Sequence, residues 1–373
     1  MPNPDFILVP KVPTLSVALE PAYNILNSFL LINKSEYLQG LGEWVTKTKA
    51  ALTPEQLHNN ELVLYGLYYA CEPDRSWPTF EAYLDHLATQ DPILLRDRVF
   101  NAYKSLILNE DGHTVLATEP SSTPHEIQPL LDDVDAFLAF LGERFQQKSI
   151  NVKIETEAHK YLNDPPALQT LITSHLRDMW ENYGASEWER VKPILQASVD
   201  AFQQTDFATL SKSEAVAMVI GKHVDDCQYQ DYEKFKRIVF VPSAHVGPYH
   251  GKFKTEDTVY FLFGARSPEG AGINMPDLSR AEILVRVTAL ADDNRLRILK
   301  LVHDEGELRS REIMEKLNLS QSAASRHLKQ LSATGYLNER RCAGSKCYAL
   351  NAKQIENTLK AISGFLLGNE TNF

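Results

Sequence analysis

The stretch Leu319–Leu337, LSQSAASRHLKQLSATGYL, decides how the C-terminal part of this chain folds. Wound at about 100° per residue, it gathers Ala323, Ala324, Leu328 and Leu331 into one arc, with His327 inside that arc. Gln321, Ser322, Ser325, Arg326, Lys329 and Gln330 fill the opposite arc. One side is thus a seam of small apolar residues, which marks His327 as a core histidine. The other side is a row of hydrogen-bond donors. Ser320 is placed to cap the helix through its hydroxyl, and a helix N-terminus attracts phosphate oxygens. A merely solvated helix face has the same composition, so the neighbouring segments decide between the two.

Upstream, SREIMEKL opens at Ser310 and ends at Asn318. Two helices separated by so few residues form a helix-turn-helix, whose second helix enters the major groove. Further back, Asp293 is expected to cap NRLRILKLV, with Leu296, Leu299 and Val302 on one side. Before it, Ser279-x-x-Glu282 reads as a capping box ahead of Ile283, Leu284, Val287 and Leu290. Downstream, YLNERRCAGSKCYAL alternates on either side of Ala343-Gly344-Ser345, as a hairpin does. Arg340, Arg341 and Lys346 make its tip basic, which suits a wing lying on phosphates. With Gly344 and Ser345 as the turn, Cys342 and Cys347 would stand opposite each other. A redox latch is one reading of that pair, and two ordinary small residues are the favoured one. Asn351 then starts a last helix with a stripe of Ile355, Leu359, Ile362 and Leu366. So small a domain offers that stripe only its own first helix or a second protomer.

The run LADDNRLRILKLV, followed by GELRSREIMEKLNLSQSAASRHLKQLSATGYLNERRCAGSKCYAL, resembles the ArsR family of winged-helix transcriptional regulators. The resemblance is confined to the C-terminal part of the chain. It implies a homodimer joined through its terminal helices, bound to a palindromic operator in double-stranded DNA, usually as a repressor. By position, Gln321, Ser322, Ser325 and Arg326 would face base edges from the helix that Ser320 begins. Lys329, Arg340, Arg341 and Lys346 would meet phosphates. Metal-sensing members carry Cys-x-Cys after the residues matching Glu307 and Leu308; here Arg309 and Ser310 follow, so no thiolate pair is present to capture a soft metal.

Composition sets the outer bounds. The 373 residues are 43% hydrophobic and 23% charged, ordinary for a globular protein with room for two or three domains. No apolar run approaches the roughly 18 residues of a membrane span. MPNPDFILVPKVPTLS lacks the basic start and continuous apolar stretch of a signal peptide. Cys71, Cys227, Cys342 and Cys347 are too scattered for a disulfide framework, so a cytoplasmic protein is expected. Net charge is −11, against general nucleic-acid affinity. Between Ser279 and Leu350, however, 13 Lys/Arg face 9 Asp/Glu, a local +4 that leaves −15 for the remainder. A DNA backbone responds to the local value.

Ahead of this domain, Ser16 to Gly264 reads mostly as helices. Thr123-Pro124 with Glu126, Asp91-Pro92 and Asp164-Pro165 are N-terminal start signals. RIVFVP (237–242) and TVYFLFG (258–264) read as strands. ARSPEGAGINMPDLS has the Pro/Gly content of a linker, and a weaker sub-boundary is expected near 146–153. Ser243, His245 and His250, with His223, Asp225, Asp226 and Cys227 nearby, match no nucleophile elbow or zinc spacing. The expected fold is mainly α: a large helical N-terminal region (1–264) with a small β element, a linker (265–278), and a C-terminal winged helix-turn-helix domain (279–373). The expected function is a DNA-binding regulator with no cofactor, metal or catalytic residue, its N-terminal region sensing an unidentified small-molecule effector or extending dimer contacts. A winged helix that docks a protein partner is the alternative, and an enzyme in the N-terminal region a more distant one.

Overall fold

The structure, a computed structural model, describes residues 14–38, 40–108, 114–116, 127–145, 150–220, 235–266, 276–342 and 345–367. In chain order the N-terminal region holds β1 (Leu15–Val17), α1 (Pro21–Lys34), α2 (Glu43–Ala51), α3 (Pro54–Glu61), α4 (Phe80–Thr89) and α5 (Pro92–Ser105). There follow β2 (Leu106–Leu108), β3 (Thr114–Leu116), α6 (Ile127–Asp132), α7 (Val134–Arg144), α8 (Val152–Leu162), α9 (Pro165–Met179), α10 (Ala185–Gln203) and α11 (Lys212–Ile220). The region closes with β4 (Arg237–Ser243), β5 (Gly251–Lys254) and β6 (Thr258–Gly264).

Proline and short polar caps start many of these helices. Pro54 begins α3 behind a reciprocal box in which Thr53 Oγ1 accepts from the Gln56 amide and Gln56 Oε1 accepts from the Thr53 amide. The Asp164 carboxylate accepts from the Ala167 amide at 3.2 Å, and the Asp91 carboxylate from the Ile93 amide at 2.9 Å. Each such cap is worth about 1 kcal/mol. The start signal at Thr123, Pro124 and Glu126 lies outside the described residues.

The sheet has the order β1-β4-β6-β5, parallel except where β5 runs against β6. Alternate residues of β4 and β6 feed two different cores. Ile238, Phe240, Val259, Phe261 and Phe263 pack with Val199, Phe202 and Val216. Val239, Val241, Tyr260 and Leu262 join the large helical core with Tyr23 and Leu26. Strands buried on both faces read as unbroken apolar runs, which is why β4 and β6 were legible. β1 and β5, of 3 and 4 residues, were too short to register as strands. The sub-boundary expected near 146–153 does not divide the packing: Phe137 and Leu141 before it, and Ile154 and Ala158 after it, lie in one buried cluster.

The C-terminal domain consists of α12 (Pro276–Leu290), α13 (Asp293–Glu305), β7 (Leu308–Arg309), α14 (Ser310–Leu317), α15 (Gln321–Ala333), β8 (Leu337–Cys342), β9 (Ser345–Leu350) and α16 (Ala352–Leu367). Several expected details are corrected. α12 begins at Pro276, inside the expected linker, because proline's fixed φ suits the first helical turn; Ser279 and Glu282 therefore lie within the helix. Asp292, rather than Asp293, caps α13, its carboxylate accepting from the Arg295 amide at 3.0 Å. The inward stripe of α13 is Arg295, Ile298, Leu299 and Val302, while Leu296 is exposed. That spacing of three, four and seven residues is one face of a helix.

Asn318 stops α14 in the left-handed region at φ 51°, which asparagine tolerates better than most residues. Ser320 then caps α15, its hydroxyl accepting from the Ala323 amide at 3.2 Å. The wing sheet has the order β7-β9-β8. Its register pairs Cys342 with Ser345 and Arg340 with Cys347. Cys342 with Ser345 is the last pair of the hairpin among the described residues, and the two cysteines are offset by two positions rather than opposed. Cys347 is a buried thiol. Among the described residues no helix is long and apolar enough to cross a membrane.

Candidate nucleic-acid interface

The helix at 321–333 divides as its periodicity requires, with one exception. Ala324, His327, Leu328 and Leu331 are buried, and Gln321, Ser322, Ser325, Arg326 and Lys329 are exposed. The exception is Gln330, assigned by periodicity to the donor face but 2% exposed. Its Oε1 accepts from Arg295 Nη1 at 3.0 Å. Arg295 is itself 2% exposed and also donates to the carbonyls of Ala289 (2.6 Å) and Thr288 (2.8 Å). One guanidinium therefore ties the end of α12, the start of α13 and the recognition helix together. An arginine inside the apolar spacing of RLRIL was the sequence signal for this, and it was missed. His327 sits under the helix, its Nδ1 3.7 Å from Asp292 Oδ1. Burial pushes this imidazole below its ordinary range, with Asp292 pulling the other way.

The exposed cations differ in their engagement. On the wing, Arg340 is held by Glu307, with Nε–Oε1 at 2.6 Å. Lys346 is paired to Glu339 at 2.6 Å. Arg311 and Lys316 on α14 are paired to Glu315 and Glu305, each at 2.8 Å. Arg326 is exposed and, among the described residues, meets no carboxylate. Arg341 stands opposite Lys346 in the register; its side chain is outside the described part. Lys329 has burial and the neighbouring Lys346 charge holding it below the usual ammonium range. Lys34, across on α1, is lowered by burial and by Lys329 in turn. Lys34, Lys329 and Lys346 thus bring positive charge together beside the recognition helix.

The recognition helix looks onto the N-terminal region across a cleft of about 2880 Å³. Gln321, Ser325 and Lys329 line one wall, with Lys34, Tyr37 and Tyr249 among the residues opposite. Lys329 Nζ lies 6.0 Å from the Tyr249 ring centre.

The loop after β4 that carries His245 takes part in a polar assembly that no spacing in the sequence announces. The His245 ring joins Ser28 Oγ (2.8 Å from Nδ1) to Glu187 Oε1 (2.8 Å from Nε2) and stacks on Trp44 at 4.8 Å. Arg190 grips the same carboxylate with two hydrogen bonds, at 2.7 and 2.8 Å. The order hydroxyl, imidazole, carboxylate is that of a proton relay. Yet Ser28 is 1% exposed and donates its hydroxyl proton to the Asn24 carbonyl within its own helix. The arrangement therefore staples α1, α10 and the loop after β4 together and presents no nucleophile. Ser243 is buried and accepts from the His245 amide. His223, Asp225, Asp226 and Cys227 lie outside the described residues. Among the described residues no group of three or more His, Cys, Asp or Glu could hold a metal ion.

Comparison with known proteins bears on the C-terminal domain. The model of the bacterial regulatory protein arsR family matches residues 292–339, from the cap of α13 into the wing. The transcriptional activator HlyU of Vibrio cholerae serotype O1 is 32% identical over 96 residues, covering 25% of this chain and 88% of that protein. Among solved structures, reduced HlyU from Vibrio cholerae N16961 is 31% identical and covers 24% of this chain and 95% of the other, with a TM-score of 0.20. NolR from Sinorhizobium fredii is likewise 31% identical, covering 26% and 95%, with a TM-score of 0.21. Through the winged helix-turn-helix domain at its C-terminal end, the chain belongs to the arsR family of bacterial regulatory proteins.

Proposed function

We propose that this DNA-binding transcriptional regulator acts in the cytoplasm as a homodimer that recognises a palindromic operator in double-stranded DNA and represses from it. The supporting observation is the exposed Arg326, which among the described residues meets no carboxylate and is flanked by Ser322 and Ser325, while Arg340, Lys346, Arg311 and Lys316 nearby are paired. A guanidinium fork matches guanine O6 and N7, and the small hydroxyls leave it room to reach them. Gln321 joins these three at the base edges. Ser320 at the helix start, with Lys329, Arg340, Arg341 and Lys346, takes the phosphates.

Dimerisation is supported by an apolar face that the described residues leave exposed. Leu284 and Val287 on α12, and Leu359, Phe365, Leu366 and Leu367 on α16, are exposed. α12 and α16 pack against each other, so the two helices present this face together. The proposed division is an N-terminal region over 1–264, a connector over 265–275 and the DNA-binding domain from α12 onward, 276–373. With Lys329 Nζ 6.0 Å from the Tyr249 ring centre, the N-terminal region stands against the face of α15 that a duplex would have to occupy. The arrangement described is then the DNA-free one, and operator binding requires the two regions to part.

Footprinting on DNA upstream of the chain's own coding sequence tests the proposal. A symmetric protected site, lost in Arg326→Ala, is expected. Absence of any protected site, or protection indifferent to Arg326, would overturn it. The relative HlyU carries the name of an activator, so the sign of regulation needs its own assay: a promoter fusion should rise in output when this chain is deleted.

A further inference from the structure

Part of the cleft wall is aromatic, and one unusual carboxylate, Glu155, stands close enough to Tyr103 to act on it. α3 does not end cleanly. It passes into a π turn over Leu62–Gly66 and then a short 3₁₀ turn over Tyr68–Ala70. π turns cluster at functional sites because they re-aim side chains out of helical register. Here they bring Tyr68 and Tyr69 to the cleft. Gly66 makes the turn possible: a Cβ there would lie 2.8 Å from Ala158 Cβ on α8. The close approach sets α8, and with it Glu155, beside the turn.

Tyr69 meets Tyr68 edge-on at 5.2 Å and Tyr103 edge-on at 5.5 Å, and Tyr103 meets Phe145 edge-on at 5.7 Å. All four rings and Glu155 line the cleft. Glu155 Oε2 is buried without a hydrogen-bond partner. Among the described residues no cation acts on this carboxyl, and burial pushes it up to about 7. Unpaired buried carboxylates are costly, and a cation supplied from outside removes the cost. With no three-ligand His/Cys/Asp/Glu group among the described residues, a metal cage is not what is built. Aromatic faces beside one carboxylate are the chemistry that holds organic ammonium groups.

We propose that Glu155, Tyr69, Tyr103 and Phe145 form a binding site for a small organic cation, an amine or a quaternary ammonium. The carboxylate neutralises the charge and the rings surround its apolar substituents. The site belongs to the N-terminal region and does not depend on the DNA-reading proposal.

Calorimetric titration of the full chain, without DNA, tests it with benzylamine, benzyltrimethylammonium, neutral benzyl alcohol and anionic benzoate as probes. At least one of the two cations should bind, and the neutral and anionic probes should not. Glu155→Gln should weaken that binding by about tenfold or more, and Tyr69→Leu, which removes a ring and leaves the charge, should weaken it as well. Tryptophan fluorescence checks that each variant is folded, and the probe series on the unaltered chain stands without either. Failure of both cations up to about 10 mM, equal binding of benzyl alcohol, or a folded Glu155→Gln that binds as before would each overturn the proposal.

Discussion

Arg295→Met removes a charge from the C-terminal domain while keeping most of the side chain's volume. In the native domain the guanidinium donates to two carbonyls at the end of α12 and to Gln330 of the recognition helix. The two carbonyls, at a helix end, can recover hydrogen bonds from water, but Gln330 is buried and its Oε1 loses its donor. A hydrogen bond from a charged donor contributes about 1.5–3 kcal/mol net, and the cost of leaving a buried polar partner unmatched adds to it. Recovered hydration of the arginine's own charge in the unfolded chain is part of the same balance. The expected loss is about 3 kcal/mol, a large share of a typical domain's 5–15 kcal/mol or so. The four tryptophans, Trp44, Trp77, Trp180 and Trp188, all lie in the N-terminal region, so their fluorescence reports that region alone. Hydrogen exchange on peptides from 293–350 reports the other. Arg295→Met should raise exchange there by about a hundredfold and leave the tryptophan unfolding transition in place. Unchanged protection across 321–333 would refute the idea that Arg295 anchors the recognition helix.

The remaining predictions follow from the same contacts. Arg326→Ala should lower operator affinity by about 1–3 kcal/mol and relax preference at one base pair per half-site, measured by fluorescence anisotropy on operator variants. Operator affinity should fall with salt at a log–log slope between about −5 and −9, for roughly 6–10 phosphates met by two protomers; a flat titration would contradict phosphate contact. Leu359→Glu with Leu366→Glu should weaken dimerisation by more than about a hundredfold, seen in sedimentation as a shift to monomer. The Glu187 carboxyl, which burial alone would raise, is held at about 2 by the hydrogen bonds and charge of Arg190 and His245. A depressed carboxyl stabilises the fold above its unfolded value near 4.5 and loses that contribution as pH falls toward 2. Acid unfolding followed by tryptophan fluorescence should lose about 2 kcal/mol over that window, and Glu187→Gln should flatten it.

The winged helix was legible because its signals are local. Ser320 as cap, the apolar seam of Ala323, Ala324, Leu328 and Leu331, and the alternation on either side of Ala343-Gly344-Ser345 each depend on a few neighbouring residues. What escaped were contacts between residues far apart in the chain. Gln330 falls on the polar arc by periodicity, and only the position of Arg295, 35 residues earlier, turns it inward. Ser28, Glu187 and His245 are separated by up to 217 positions, and no spacing rule joins them. The cysteine register failed for a different reason. A hairpin closed one residue earlier than assumed slides every cross-strand pair, so a small error at Gly344 moved Cys347 opposite Arg340. The aromatic wall beside Glu155 left no trace in composition, since its residues come from α5, α8, the turn after α3 and the end of α7.

On the proposed function, Arg340 and Lys346 of the wing would reach DNA already paired. To lend Arg340 to a phosphate, the hairpin must surrender Glu307, and Lys346 must likewise leave Glu339. Each exchange strands a carboxylate close to a polyanion, so the net gain from an arbitrary stretch of backbone is small. Only a site that seats Arg326 and its neighbours at the same moment compensates for both exchanges. On that reading the hairpin would add little to loose, sequence-blind adhesion and would make its contribution once the correct bases are engaged.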